Sequence, residues 1–233
     1  SQLNTARHCV WTPISDDTAL LLHYLVEAFR VTNGAFNPFL LPALVNAGYS
    51  HSLTGNATVS LPHSASWHAT AADLEIQHTS TGWQARLLNG ATVDPGGIGK
   101  GLAADIVAEQ LMTLHARGVS VSVGGDLRCM GTPSDAEVWP VNIEDAEHPT
   151  HITASVLIPS GGVATSSTHA KRWHMGTLMQ HHVIDPVTGQ PTSPNAPDAL
   201  HTATVIASTA VWAEVFATAL LVSGEKIGAE LLA

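Results

Sequence analysis

"VDPGGIGKGLAADIV", residues 93–107, places four glycines and a lysine within positions 96–101 and runs straight into an apolar, helix-favouring segment. The chain has three lysines in 233 residues, so one inside a glycine turn is a pointed use of charge. Glycine lacks a Cβ, admits positive φ and lets the backbone come close to a ligand. Ahead of a helix, such a turn offers backbone N–H groups and a partial positive charge that suit a phosphate. Lys100 would add a full charge. A tight strand-to-helix connection with a solvated lysine accounts for the same residues, and both readings stay open at this point. The stretch lacks the Ser or Thr after Gly-Lys that a P-loop needs, and the Gly-x-Gly-x-x-Gly spacing of a dinucleotide fingerprint.

Around this stretch, helical and strand patterns alternate. "DDTALLLHYLVEAFRVTNGAF" predicts a helix capped by Asp16 or Asp17, with an apolar face of Leu20, Leu21, Tyr24, Leu25 and Phe29, ended by Asn33-Gly34. "ALVNAGYSH" is ambiguous. "ATVSL" at 57–61 and the run 72–94 alternate like antiparallel strands, with turns at Ser80-Thr81-Gly82 and Asn89-Gly90. The second helix follows Lys100, with an expected face of Leu102, Ile106, Val107, Leu111 and Leu114 and a left-handed stop at Gly118. Val119, Val121 and Val123 alternate into Gly124-Gly125-Asp126. Further strands are expected near 138–143, 151–158, 162–166, 181–184 and 202–208, and a last helix over 209–224. Strands joined mostly as hairpins and broken by three helices predict an α+β fold, largely antiparallel or mixed sheets flanked by helices. A single domain over 1–233 is expected, with a division into two subdomains left open.

Composition narrows the function classes. Nine basic against nineteen acidic residues give a net charge of -10, which argues against a nucleic-acid surface. Charged residues are 12%, half the roughly 25% of an average soluble domain. The mean hydropathy of +0.15 allows a substantial core. Cys9 and Cys129 stand in no metal-ligand spacing and are expected as free thiols. No apolar run reaches the length of a membrane-spanning helix. No basic-then-apolar leader opens the chain, and "SQLNTARHCVW" without an initiator Met leaves room for a removed leader or first strand. The compartment stays open.

Three more pieces carry chemistry. "HHVIDPVTGQP" at 181–191 is a strong turn signal after a strand, with one of two histidines facing in; taken alone, it reads first as an ordinary hairpin with a buried histidine. "GVATSS" at 162–167 ends in hydroxyls that can bond phosphate or ribose, or simply make a loop. Glu214 and Thr218, four apart on a helix, share a face and form a hard-cation pair, or a polar stripe.

Together and in order, the run Asp94-x-Gly96-Gly97-Ile98-x-Lys100-Gly101, then Val123-Gly124-Gly125-Asp126, Ala164-Thr165-Ser166, His182-x-Ile184-Asp185-Pro186-x-Thr188-Gly189-x-Pro191 and the Glu214-x-x-x-Thr218 helix resembles the FAD:protein FMN transferases, the ApbE family. "TNGAFNP" and "AGYSHS" look like that family's N-terminal region, so the likeness covers nearly the whole chain. It implies Mg²⁺-dependent transfer of FMN from FAD to a Thr or Ser hydroxyl of an acceptor protein, with release of AMP. By position, Lys100, Gly96 and Gly97 would hold the pyrophosphate, and Thr165 and Ser166 would contact FAD oxygens. Asp94 heads this FAD-binding set, although its carboxylate, like those of Asp126 and Asp185, is expected to fix its turn. The Gly99 carbonyl, Glu214 and Thr218 would ligate Mg²⁺, and His182 would be the base. The departures from the pattern are Glu214 for Asp, Ser167 for Gly, Gly99 for Ala and Asn37 for Asp, and the family's opening strand and closing segment are missing. The alternatives are an FAD pyrophosphatase giving FMN and AMP, an FAD-binding protein with weak turnover, and a metal-binding protein using His148, His151, His169, His174, His181 and His182, whose spacing matches no zinc pattern.

Overall fold

In the computed structural model, the structure describes residues 2–6, 8–49, 59, 61–148 and 150–232. The strand expected at 57–61 and the end of the "AGYSHS" motif fall mostly outside them. The chain divides into two units, residues 1–95 with 171–193 and residues 96–170 with 194–233.

In the first unit, helix α1 (Gln2–Thr5) and strand β1 (Thr12–Pro13) precede helix α2 (Asp16–Val31). Ser15, not Asp16 or Asp17, caps α2: its hydroxyl accepts from the Thr18 N–H at 3.2 Å. The two aspartates instead sit in the first turn, where the helix dipole favours negative charge. Ala19, Leu22, Leu25 and Ala28 form the buried face, while Leu20 is 41% exposed. The helix stops where expected, with φ of 50° at Asn33 and 81° at Gly34. The ambiguous segment resolves as helix α3 (Leu41–Asn46), opened by Pro42. Its Ala43 and Leu44, with Ala47 and Ile184, make a small core under Trp67 and Trp173. Strands β2 (Leu74–Thr79) and β3 (Gly82–Leu87) form the predicted hairpin, with β1 on the far edge of β3.

In the second unit, helix α4 (Gly99–Thr113) leads into strands β4 (Gly118–Val123), β5 (Asp126–Gly131), β6 (Trp139–Glu144), β7 (Ile152–Ile158) and β8 (Gly161–Ser167). Strands β9 (Arg172–Met175) and β10 (Leu178–His181) then form a hairpin in the first unit. The expected strand at 181–184 therefore ends at His181, and Ile184 makes only an isolated bridge to Pro191. Strand β11 (Thr202–Ala207) and helix α5 (Ala210–Leu231) complete the second unit. Its sheet is antiparallel in the order β11-β8-β5-β4, and β6 pairs with β7 alone. Helix α4 packs on β4 and β5, α5 on β8 and β11, and the helices on each other.

Two expectations about α4 are corrected. Gly118 is not its stop, since the helix ends at Thr113 and His115 takes the left-handed turn at φ 65°. Gly118 is needed for another reason: a Cβ there would lie 2.1 Å from the Thr132 carbonyl oxygen. Of the expected apolar face, Leu102 alone is buried and Ile106 is half-buried. Leu114 is 76% exposed and Val107 and Leu111 are exposed too, while Gly101, Leu102, Ala104, Asp105 and Ala108 are buried. Where Gly101 meets Ala210, the backbones come so close that no Cβ fits between them.

Strand alternation sorts the sheet's side chains. On β5, Leu127 and Cys129 join Val141, Ile158 and Val163 in a core on one face. Asp126 and Arg128 therefore point to the other face, where both meet residues of the helices. On β8, Gly162 and Ser166 lie on that same helix side. At the crossing, a Cβ on Gly101 would sit 2.4 Å from the Ala210 carbonyl oxygen, and one on Gly162 2.2 Å from the Ala210 nitrogen. Overpacking at backbone contacts of this kind costs about 1–3 kcal/mol. Gly101→Ala and Gly162→Ala should each lower the free energy of unfolding from a urea titration by an amount in that range, seen as a lower midpoint. A parent-like midpoint in either variant would show that the helices can move apart freely.

Candidate functional site

The glycine turn does not use the left-handed backbone that its composition suggests. None of Gly96, Gly97, Gly99 and Gly101 has positive φ; Gly124 and Gly125, in the facing turn, do, at 58° and 95°. The Lys100 side chain runs over Gly124, where a Cβ would meet its Cδ at 3.0 Å. Its ammonium ends between two carboxylates. It donates to Asp126 in a very short contact and lies 3.0 Å from Glu214 Oε1. Both acids have only 2% of their side chains exposed.

Glu214 reaches this position from α5. Its Oε2 accepts the Gly101 N–H at 2.8 Å, serving one of the N–H groups that the first turn of α4 leaves without an intrahelical partner. Its Oε1 is buried and makes the Lys100 ion pair without a well-aligned hydrogen bond. One turn further along α5, the Thr218 hydroxyl is 3.3 Å from the Ser166 hydroxyl of β8. The sequence expectation therefore brings Lys100, Glu214, Ser166 and Thr218 to one face of the second unit. Thr165 behaves differently: its hydroxyl bonds Thr204 at 2.9 Å on the opposite face, and its backbone N–H bonds the Asp126 carboxylate.

Sequence reasoning assigned Asp126 to fixing its turn and overlooked Asp105 and Arg128. Gly-Gly-Asp reads as a turn, and only strand alternation reveals that Asp126 faces Lys100. Asp105 accepts from the Ala210 and Val211 N–H groups at 2.9 and 2.8 Å, and Arg128 lies 3.1 Å from it.

The remaining expected residues lie in the first unit. The Asp94 N–H donates to the Pro38 carbonyl at 2.8 Å. The two histidines divide as the pattern suggested. His181 is buried, accepts the Val183 N–H at Nδ1 (3.3 Å) and bonds the Thr192 carbonyl through Nε2 at 3.1 Å, which fixes it as the neutral Nε2-protonated form. His182 is half-buried, with Nδ1 3.4 Å from the Lys171 carbonyl oxygen. The turn after them is held by Asp185, which accepts from the Val187 N–H and the Thr188 hydroxyl at 2.8 and 2.9 Å.

Among the described residues, no group of three or more His, Cys, Asp or Glu is placed to hold a metal. A cation in the second unit would have to draw on a carboxylate, hydroxyls and backbone carbonyls. The donor chemistry of Glu214, Thr218 and Ser166 is all hard oxygen, which suits Mg²⁺ rather than a softer ion. Glu214 Oε1, buried and lacking an aligned donor, is the atom with capacity to spare.

Comparison with known proteins places these features in a family context. The ApbE family model matches residues 1–233. The FAD:protein FMN transferase of Escherichia coli (strain K12) is 33% identical over 60% of this chain and 39% of its own length. That of Treponema pallidum (strain Nichols) is 27% identical over 94% of this chain and 64% of its own length. The chain thus spans less than two thirds of these relatives. The crystal structure of the ApbE protein from Thermotoga maritima aligns with a TM-score of 0.80 and 23% identity, covering 99% of this chain and 72% of that one.

The charge cluster has a pH signature. Burial, helped by the neighbouring Asp126 charge, pushes the Glu214 carboxyl up from 4.5 to about 7, against the pull of Lys100 and the Gly101 N–H. Burial raises Asp126 as well. For Lys100 burial works downward, but Glu214 and Asp126 prevail and hold the ammonium above its ordinary value. Between pH 4.5 and 7 the folded state therefore binds more protons at Glu214 than the unfolded chain does. Its stabilising contribution is fullest below that window and is lost as pH rises through it. Glu214→Gln should flatten the fall in melting temperature between pH 4.5 and 7, and a slope as steep as the parent's would place the titration elsewhere.

Proposed function

The chain belongs to the ApbE family, and on that premise we propose that it transfers the FMN half of FAD to a Thr or Ser hydroxyl of an acceptor protein and releases AMP. The observation that carries this reading is the Lys100 ammonium at the start of α4, set between Asp126 and Glu214 and reached in the order of the family's motifs. Backbone N–H groups at a helix start together with a lysine suit the paired phosphates of FAD. The glycines Gly96 and Gly97 leave room for them. Ser166 supports the ligand through its hydroxyl, and Thr165 through the N–H that orients Asp126.

Charge balance argues for a divalent ion beside the ligand. One ammonium faces two carboxylates, so the cluster by itself has no net positive charge to offer a pyrophosphate. Mg²⁺, held by Glu214, Thr218 and the Gly99 carbonyl, would neutralise the phosphates and polarise the phosphorus under attack. The chain's own residues supply the rest. His182, whose Nδ1 lies 3.4 Å from the Lys171 carbonyl oxygen, accepts the proton of the acceptor hydroxyl through its imidazole. The hydroxyl oxygen bonds to the FMN phosphorus as the bond from that phosphorus to the bridging oxygen breaks. AMP leaves with the bridging oxygen. Lys100 and the start of α4 fix the phosphates for this in-line displacement, in which positioning and charge neutralisation do most of the work.

A second reading, an FAD-binding protein with weak turnover, draws on Glu214 itself, since its carboxylate is already engaged by Gly101 and Lys100. Incubation with FAD, MgCl₂ and a Thr-bearing acceptor domain separates the outcomes. Flavin fluorescence retained on the denatured acceptor, with matching AMP, supports transfer. Free FMN and AMP alone indicate hydrolysis; bound FAD left intact indicates weak turnover; absence of FAD binding removes the proposal.

Two substitutions dissect the roles. A lost charge-assisted contact costs about 1.5–3 kcal/mol, so Lys100→Ala should weaken FAD binding about 10- to 100-fold in a fluorescence titration. His182→Ala should leave FAD affinity within about threefold but slow flavin transfer by about 10²- to 10⁴-fold. Parent-rate transfer by His182→Ala would reassign the base.

A further inference from the structure

Helix α5 begins without a cap of its own. Thr209 holds the extended backbone of an N-cap residue, the kind whose hydroxyl normally serves the first turn, yet it makes no such bond, and its oxygen is buried with no partner. The cap comes from another helix. Asp105, one turn along α4 from Gly101, gives one carboxylate oxygen to the Ala210 N–H at 2.9 Å and the other to the Val211 N–H at 2.8 Å. Arg128 stands 3.1 Å from the same carboxylate and donates through Nη1 to the Ser208 carbonyl at 2.7 Å. Asp105 and Arg128 are both buried.

The arrangement is reciprocal. Asp105 of α4 caps α5, and Glu214 of α5 caps α4 at Gly101. Glu214 lies four residues, about one turn, beyond Ala210, and Thr218 one turn beyond that. Where Asp105 fixes the start of α5 therefore sets the height of both side chains against Lys100, Gly101 and Ser166. A buried carboxylate is a costly way to cap a helix when a threonine already stands at the N-cap. What it adds over a local cap is a fixed relation between the two helices.

We propose that Asp105, oriented by Arg128, is a positioning residue: it sets the register of α5 on α4 that seats Glu214 on the Gly101 N–H and beside Lys100. Its link to flavin handling rests on the function proposed above; the seating itself does not.

Asp105→Asn keeps the side chain's shape but turns an amide N–H toward one of the two donors. Asp105→Ala/Thr209→Asp removes the carboxylate and supplies a local cap in its place. Amide hydrogen exchange by NMR, without flavin, compares Gly101 with Ala108 in the middle of the same helix. A merely stabilising role changes both amides together, because both then follow the global melting temperature. Positioning predicts Gly101 exchange at least tenfold faster relative to Ala108 than in the parent, in either variant that folds, even where the local cap restores the melting temperature. A parent-like Gly101-to-Ala108 ratio overturns the inference. FAD titration of the same samples should show at least tenfold weaker binding in step with the lost Gly101 protection. If the parent binds no FAD, the function proposal falls, while the exchange ratio still decides the role of Asp105.

Discussion

Glu214 places a carboxylate where almost no water reaches it, and much of the second unit is arranged around that fact. An ionised acid removed from solvent is tolerated only if partners replace its hydration. Here the replacements are the N–H of Gly101 and the ammonium of Lys100, which a second buried acid at Asp126 holds in place while its own charge works against Glu214. Each partner in turn needs Glu214. Lys100 without it would face one carboxylate instead of two, and the first turn of α4 would lose an acceptor.

Such convergence needs backbones closer than ordinary side chains permit. Gly101 and Gly162 supply the clearance at Ala210, one from the helix beside it and one from the strand beneath. Alanines at 104 and 108 keep the buried face of α4 narrow. The sheet contributes direction: alternation on β5 sends Asp126 and Arg128 to the helices and Cys129 to the opposite core. A polar face and an apolar face thus share one strand without mixing.

The secondary structure was largely legible in the sequence because periodicity and turn residues act locally. The helix before Asn33-Gly34, the hairpin at Gly82 and the alternating valines at 119–123 all lie where their patterns put them. What the pattern missed is tertiary. Leu111 and Leu114 look like core and are exposed, because the contact they were expected to make is made by glycine and alanine. Lys100, Glu214, Ser166 and Thr218 were singled out by motif order, where spacing alone leaves positions undecided, and the fold sets them on one face of the second unit. Asp105 and Arg128 gave no such signal: an acid inside a helix and an arginine inside a strand read as solvated until the fold shows what they face. The glycines of 96–101 were read as admitting positive φ and close approach to a ligand, whereas none takes positive φ and the constraint at Gly101 is crowding against Ala210.

The two sides of the charge cluster are far apart along the chain. Lys100 and Gly101 precede Glu214 by more than a hundred residues, and between them the chain leaves the second unit at 171 and returns at 194. During synthesis, the lysine and Asp126 leave the ribosome well before the last helix does. Until α5 arrives, Lys100 has only Asp126 to face and the first turn of α4 has no acceptor from Glu214. The cluster therefore cannot assemble progressively with elongation. It closes only once α5 has been made, which ties the readiness of this site to a segment synthesised more than a hundred residues after the lysine.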